Sequence, residues 1–319
     1  MIPITPPAVA CTSPAASVVW EETACPLCSH SRALPFVEAQ DPAPGSAGLW
    51  FAVVRCERCG LRFTNPRPAL ESIGQFYSAD YRPHRRPRQL RRPLKRWYPL
   101  GALRGRPSER RSLPWLGQGR LLDFGCGGGS FIARMAEQGW KVIGLDASVG
   151  VVQGIQEKLG LKALVGSLPH PELKPGTFDV VTMWHSLEHV HDPLRVLREA
   201  YQLLVPEGRL LIATPNIDSW PYRWFGRSWF GLDLPRHLVH FCPKSLRIML
   251  ECAGFRVVSL RTLRHSDWLR SSARLASRLR PTGFWARLLK LKPAARLTAW
   301  LCYLAGKSDC MLAVAERAG

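Results

Sequence analysis

Three groups of residues in this sequence have types and spacings that could do chemistry. Cys25-Pro-Leu-Cys28 and Cys56-Glu-Arg-Cys59-Gly60 are two CxxC pairs with 27 residues between them, a grouping in which four thiolates converge on one tetrahedral ion. Cys25, Cys28, Cys56 and Cys59 are therefore expected to ligate structural Zn2+ in a zinc-ribbon-like module, with Gly60 allowing the turn that presents the second pair. Four protein ligands leave no open position, so such an ion would hold residues 20–65 folded and take no part in catalysis. A redox dithiol needs a single CxxC on a βαβ unit, and no such unit surrounds these pairs. The second group is Asp123-Phe124-Gly125-Cys126-Gly127-Gly128-Gly129-Ser130, an acid followed by glycines that let the backbone turn tightly and approach a ligand. A dinucleotide fingerprint would want a third glycine where Ser130 stands. The third group is four histidines, His185, His189, His237 and His240, suited to removing a proton near neutral pH.

The elements that must position these groups are legible from periodicity. From Arg120 onward short apolar runs alternate with amphipathic segments, the pattern of βαβ units around a parallel sheet. Strands are predicted near Leu121–Asp123, Lys141–Asp146, Ala163–Val165, Asp179–Met183, Arg209–Thr214, Arg256–Leu263 and Cys310–Ala315. Helices are predicted at Ser130–Gln138, Val149–Leu159, Asp192–Leu204 and Pro243–Cys252. Asp192-Pro193 reads as an N-cap with proline at the first helical position, and Gly254 as a helix stop. The glycine group opens the first helix, and a second strand ends in Asp146, where a carboxylate can accept both ribose hydroxyls of an adenosine.

With those residues in place, Leu121 to Asp146 resembles the class I S-adenosylmethionine-dependent methyltransferases. Asp123, Gly125, Gly127 and Gly129 match the family's acid-then-GxGxG motif, and Asp146 matches its ribose-binding acid. Phe178–Val190 looks like the fourth strand and its loop, and Leu203-Leu204-Val205-Pro206-Glu207-Gly208 like the turn into the fifth, with Glu207 in place of one glycine. The resemblance implies a Rossmann-like α/β fold with a seven-stranded sheet, preceded by the small zinc-binding module and interrupted by a helical insertion before the last strand. It implies a cofactor site made by Asp123, Gly125, Cys126, Gly127, Gly129, Asp146, Ala147, Ser167, Leu168 and Trp184. No acid follows the third strand, which leaves adenine recognition to backbone and Leu168. The expected organisation is a disordered tail over 1–19, the cysteine module over 20–65, a basic linker or helical region over 66–115 and the methyltransferase domain over 116–319, with the insertion at 265–307.

Two subfamilies bear on the acceptor. A cysteine module ahead of such a domain is similar to deoxysugar C-methyltransferases, whose Glu-His-Leu motif supplies a histidine; here Arg236-His237-Leu238 keeps the histidine without the glutamate. Leu187-Glu188-His189 resembles the motif of ubiquinone-pathway O-methyltransferases, with His185 where that group has a further glutamate. The expected acceptor is a small molecule, a sugar or lipid-linked glycan precursor, deprotonated with histidine assistance; O-methylation of a phenolic or quinone precursor is the alternative. The aromatic run Trp220–Gly231 after the fifth strand reads as a substrate lid.

Composition sets the remaining bounds. The 319 residues carry 44 Lys+Arg against 24 Asp+Glu, a net charge of +20, which favours anionic partners. The excess sits in the flanks: eight basic residues and no acid between Arg82 and Arg96, and a zone from Arg256 to Lys307 with Asp267 as its only carboxylate. Basic helices rich in Leu and Trp, as over His265–Lys307, can lie on an anionic membrane, or can cap the active site. A basic nucleic-acid-binding protein on the same fold is the rival reading, ranked lower because no dedicated nucleic-acid motif is present. No apolar run approaches a membrane span, and the N-terminus lacks the features of a signal peptide. The expected location is the cytoplasm, extending to the inner face of the membrane.

Overall fold

The computed structural model describes residues 18–41, 48–77, 113–279 and 283–318. The basic run from Arg82 to Arg96 and nearly all of the expected N-terminal tail lie outside the described residues. Among those described, no helix is long and apolar enough to cross a membrane.

The first unit is built from β1 (Trp20–Glu21), β2 (Ala33–Gln40), β3 (Trp50–Cys56), β4 (Arg62–Thr64), β5 (Arg67–Pro68) and the single turn α1 (Leu70–Ile73). Strands β2, β3 and β4 form an antiparallel meander, while β1 pairs with β5. The second unit runs β6 (Arg120–Phe124), α2 (Ser130–Glu137), β7 (Lys141–Asp146), α3 (Val149–Leu159), β8 (Ala163–Val165), β9 (Phe178–Trp184), α4 (Pro193–Leu203), β10 (Leu204–Pro215), α5 (Trp220–Phe225), β11 (Val239–His240), α6 (Pro243–Cys252), β12 (Phe255–Leu263), α7 (Ser266–Leu279), α8 (Phe284–Leu288), α9 (Lys292–Leu304) and β13 (Cys310–Arg317).

Seven strands form one sheet in the order β12-β13-β10-β9-β6-β7-β8. All neighbours are parallel except β13, which runs antiparallel to both β10 and β12. Every residue of β9 is buried, as expected of a central strand covered on both faces. The predicted caps are present: Asp192 Oδ1 accepts the Arg195 N–H at 3.0 Å, with Pro193 opening α4, and Gly254, just past α6, takes φ of 97° with its N–H donating to the Glu251 carbonyl at 3.0 Å.

The strand order reverses between β6 and β9, since β6 has β7 on one side and β9 on the other. A crevice at the carboxyl ends of the strands opens at such a point. The insertion appears as α7, α8 and α9.

One connection was not predicted. β11 belongs to the first unit's sheet, giving the order β11-β4-β3-β2, with Val239 opposite Phe63 and His240 opposite Arg62. Val54, Leu61 and Phe63 share a continuous core with Leu187, Leu238 and Phe241. The aromatic run is not a lid: Trp229 is fully buried with Phe225 and Leu232, among Val53 of β3 and Leu269 of α7. Tyr222 stacks on Phe36 of β2. Phe225, Trp229 and Leu232 thus pack as a core between three elements, while Trp224 stays exposed.

Candidate functional site

The glycine group forms a cradle at the end of β6. Gly125, Gly127 and Gly129 have φ of 71°, 51° and 75°, the left-handed region that side chains disfavour. A Cβ on Gly125 would lie 2.4 Å from the Cβ of Ser186, so glycine is what lets this loop meet the loop after β9. Ser186 Oγ then donates to the Phe124 carbonyl at 2.8 Å, bolting the two loops together. On the other side the N–H groups of Gly125 and Cys126 both donate to the Leu145 carbonyl, at 2.7 and 3.1 Å. Cys126 contributes backbone and not its thiol: Sγ packs on Gly144, and burial pushes the thiol pKa up, Asp123 and Asp146 adding to it.

Asp146 ends β7 with Oδ2 accepting from Gly127 N–H at 2.9 Å and Oδ1 from Ser148 N–H at 3.0 Å. Each carboxylate oxygen has room for a second donor, so a pair of ribose hydroxyls fits what remains. Asp123 is buried, with Thr182 Oγ1 donating to Oδ1 at 2.7 Å. Ala147 is exposed just beyond Asp146, and Ser167 is exposed beyond β8. Leu168 and Trp184 are buried, Trp184 edge-on to Phe131 of α2.

The second cluster lies on the Ser186 side of this cradle. Leu187–His189 is a tight 3-10 turn directly after β9, and it carries Glu188, fully buried. Glu188 Oε2 accepts from Thr214 Oγ1 at 3.1 Å. Oε1 has no hydrogen-bond partner, and His185 Nδ1 stands 3.5 Å from it. Burial opposes ionisation of Glu188, but His185, His237 and His189 outweigh it and bring its pKa down to about 2.

His237 Nδ1 is 2.9 Å from the Gly231 carbonyl. A carbonyl only accepts, so Nδ1 carries the proton and Nε2 the lone pair. His189 is held the same way, Nδ1 donating to the Arg236 carbonyl at 3.0 Å with the Tyr77 hydroxyl at 3.0 Å from the same nitrogen. Desolvation, reinforced by His237, lowers His189 to about 4. Ligand atoms of Glu188, His189 and His237 lie within 4.8 Å of one another, and the two imidazoles meet edge to face at 4.6 Å.

Of the four histidines, His185, His189 and His237 all stand beside Glu188. His185, with φ of 58°, also belongs to a second close group with His265 and Cys310. His240 is set apart in β11: its Nε2–H donates to Thr64 Oγ1 at 3.2 Å, while that hydroxyl donates to the His237 carbonyl at 2.8 Å. Burial, then His237, lowers its pKa to about 3. This hydrogen-bonding position makes His240 a support of the loop, and it corrects the expectation that it could act as a base.

Tyr77, Asp41, Asp233 and Arg236 were missed from sequence. The Arg236 guanidinium is buried between Asp41, at 2.8 and 3.3 Å, and Asp233, at 2.7 and 3.1 Å. The first unit therefore grips the histidine loop through β4, Asp41 and Tyr77 together.

The four cysteines of the first unit converge as well. Cys25 and Cys59 sulfurs are 3.4 Å apart and those of Cys28 and Cys56 3.6 Å, and all four lie within 4.8 Å of one another. The two knuckles are alike: Ser29 N–H donates to the Cys25 carbonyl and Gly60 N–H to the Cys56 carbonyl, at 2.9 and 3.0 Å. Ser29 and Gly60 both take positive φ; the serine gave no sequence signal of it. Burial raises Cys59 to about 11. At Cys56 burial is outweighed by N–H groups of Cys59 and Arg58, lowering it to about 7. The donor set fits a tetrahedral zinc ion.

The family described as a methyltransferase domain matches residues 82–260, more than half of the chain. The chain belongs to this family. It is an S-adenosylmethionine-dependent methyltransferase of class I, with the sheet order and glycine cradle above. The ubiquinone biosynthesis O-methyltransferase of Xanthomonas euvesicatoria pv. vesicatoria is 30% identical over 174 residues, 50% of this chain and 71% of that protein. The enzyme of the same name from Aliivibrio fischeri is 38% identical over 144 residues, 41% of this chain and 62% of its own. Among solved structures, an S-adenosylmethionine-dependent methyltransferase from Mesorhizobium loti has a TM-score of 0.45 and 21% identity, over 64% of this chain and 94% of that one.

Proposed function

We propose that this enzyme methylates a hydroxyl oxygen of a phenolic acceptor of the quinone-precursor type, with His237 as the base. The observation that carries this reading is the Glu188–His189–His237 group beside the cofactor cradle, its Glu188 and His237 buried and Glu188 Oε1 free of hydrogen bonds. S-adenosylmethionine supplies an electrophilic methyl group. The protein's part is to align the acceptor oxygen, exclude water and take its proton.

His189, with a pKa near 4, is too weak a base for the task. His237 Nε2 is available, and its imidazolium would form near Glu188, with Asp233 Oδ2 3.9 Å away. The proton then rests on His237 as the O–CH3 bond forms and the sulfonium carbon–sulfur bond breaks. Asp146 would hold the ribose, and zinc on Cys25, Cys28, Cys56 and Cys59 would keep rigid the unit that grips the histidine loop.

The names of the relatives favour an oxygen acceptor, and they lend no support to the sugar acceptor expected from the sequence. The test is turnover with S-adenosylmethionine against a panel of catechols and prenylated phenols and a panel of nucleotide sugars, the methylated atom being assigned by NMR. Phenolic O–CH3 product is expected, with His237→Asn lowering kcat by about 10²–10⁴ at unchanged cofactor affinity. Methylation of sugars alone, or wild-type kcat in His237→Asn, would overturn the proposal.

A further inference from the structure

We propose that the outer face of the helical insertion is a docking surface for an anionic lipid bilayer. The packing of α9 is inverted relative to an ordinary surface helix. Its small residues Ala295, Ala299 and Cys302 are the buried ones, the two alanines in a core shared with Leu269 and Ala273 of α7. Its large apolar residues Leu297, Trp300, Leu301 and Leu304 face solvent. On α8, Phe284 and Trp285 are 71% and 74% exposed. Eight of the eighteen large apolar side chains exposed among the described residues fall between Phe284 and Leu304. A concentration of this kind marks an interaction surface, whereas scattered single residues do not.

Charge decides the occupant. Residues 283–308 contain Arg287, Lys290, Lys292, Arg296 and Lys307 and no Asp or Glu. A two-fold dimer through this face would set those cations against their own copies, whereas an anionic bilayer attracts each of them and takes up tryptophan and leucine at its interface. With 13 residues, α9 is about 20 Å long, short of the roughly 30 Å hydrocarbon layer, so it lies in the plane of the membrane and does not cross it.

The insertion also reaches the acceptor side of the site. Trp268 and His265, at the head of α7, meet His185 at 5.1 and 5.8 Å between ring centres. A lipophilic acceptor could thus enter from the bilayer. That last step rests on the phenolic acceptor proposed above; the docking surface does not.

The test is co-sedimentation of the full chain with phosphatidylcholine vesicles, with and without phosphatidylglycerol, at low and high salt. Binding to the anionic vesicles, weakened by salt and absent with the neutral ones, is expected. Both Phe284→Ser/Trp285→Ser and Lys292→Glu/Arg296→Glu should lower the partition coefficient about tenfold or more, with S-adenosylmethionine binding retained as proof of folding. Wild-type protein that stays in the supernatant overturns the proposal. So do variants that sediment like wild type, which would place the binding on another segment. A dimer that the serine variant dissolves, without vesicle binding, would make a second copy the occupant. Failure to methylate phenols would leave these results untouched, so the two proposals fail separately.

Discussion

Asp41→Asn is the most informative single change, because it touches neither cofactor nor acceptor and tests whether the first unit positions the histidine loop. Arg236 is 3% exposed and divides its guanidinium between Asp41 and Asp233, with the Phe76 carbonyl at 3.0 Å as a further acceptor. Breaking a buried ion pair outright costs about 3–5 kcal/mol, because a charge is left without compensation. Here Asp233 stays and the asparagine oxygen keeps one hydrogen bond, so a loss of about 2 kcal/mol is expected, read by equilibrium urea denaturation. The loop should shift with its anchor. A displacement near 1 Å of a catalytic group can lower turnover about 100-fold, so kcat should fall at least about tenfold while cofactor affinity, set by the Asp146 cradle, stays within about twofold. A double-mutant cycle with Arg236→Met should give a coupling of about 1–3 kcal/mol. Stability within about 0.5 kcal/mol of wild type and unchanged kcat would refute the reasoning, as would a loss confined to cofactor binding.

Cys56→Ser should abolish zinc binding, measured by metal analysis, and stop methyl transfer while the chain still binds S-adenosylmethionine; full activity in a zinc-free protein would contradict it. Gly125→Ala places a Cβ 2.4 Å from Ser186 at a φ of 71° and should weaken cofactor binding about tenfold or more by calorimetry. By contrast, Gly154→Ala in α3, where the nearest atom is the end of Lys158 at 3.7 Å, should stabilise by about 0.5–1 kcal/mol. Burial holds His189 near pKa 4 and His240 near 3, against 6.5, so below pH 6.5 the unfolded chain binds more protons than the native one. Stability should therefore fall as pH drops from 6.5 toward 4, by up to about 1.4 kcal/mol per unit for each histidine. Asp309, raised to about 7 by burial despite the 2.6 Å bond from Trp229 Nε1, opposes this, since its contribution is lost as pH rises from 3.8 toward 7. Asp309→Asn should steepen the acid limb, and a flat profile in both proteins would contradict the assignments.

The sheet was legible because its signals are local. Lys141–Asp146, Ala163–Val165, Val149–Leu159 and Pro243–Cys252 have the predicted bounds, each set by its own periodicity and caps. The cofactor loop was legible because glycine marks positive φ directly. The acceptor side was only half legible, because its members come from distant parts of the chain. Nothing near Tyr77 indicates that it will meet His189, 112 residues on. A strand of two residues, Val239–His240, has no alternation to read. The aromatic run misled because bulk alone does not tell a lid from a core; Trp229 is decided by Asp309, 80 residues away.

The pairing of β4 with β11 also constrains how the chain is made. His240 lies 178 positions after its partner Arg62, and at about 5–20 residues per second a ribosome needs roughly 9–36 s to cover that distance. Throughout that interval the β4 edge emerges with its N–H and C=O groups unpaired, the kind of edge that captures stray strands. The two cysteine knuckles are complete by Gly60, so a metal bound there would fix the β2–β3–β4 meander while β11 is still being synthesised. If the cysteine knuckles do hold zinc, the interval of synthesis between β4 and β11, more than the finished enzyme, is when a lack of the metal would leave the chain exposed to aggregation.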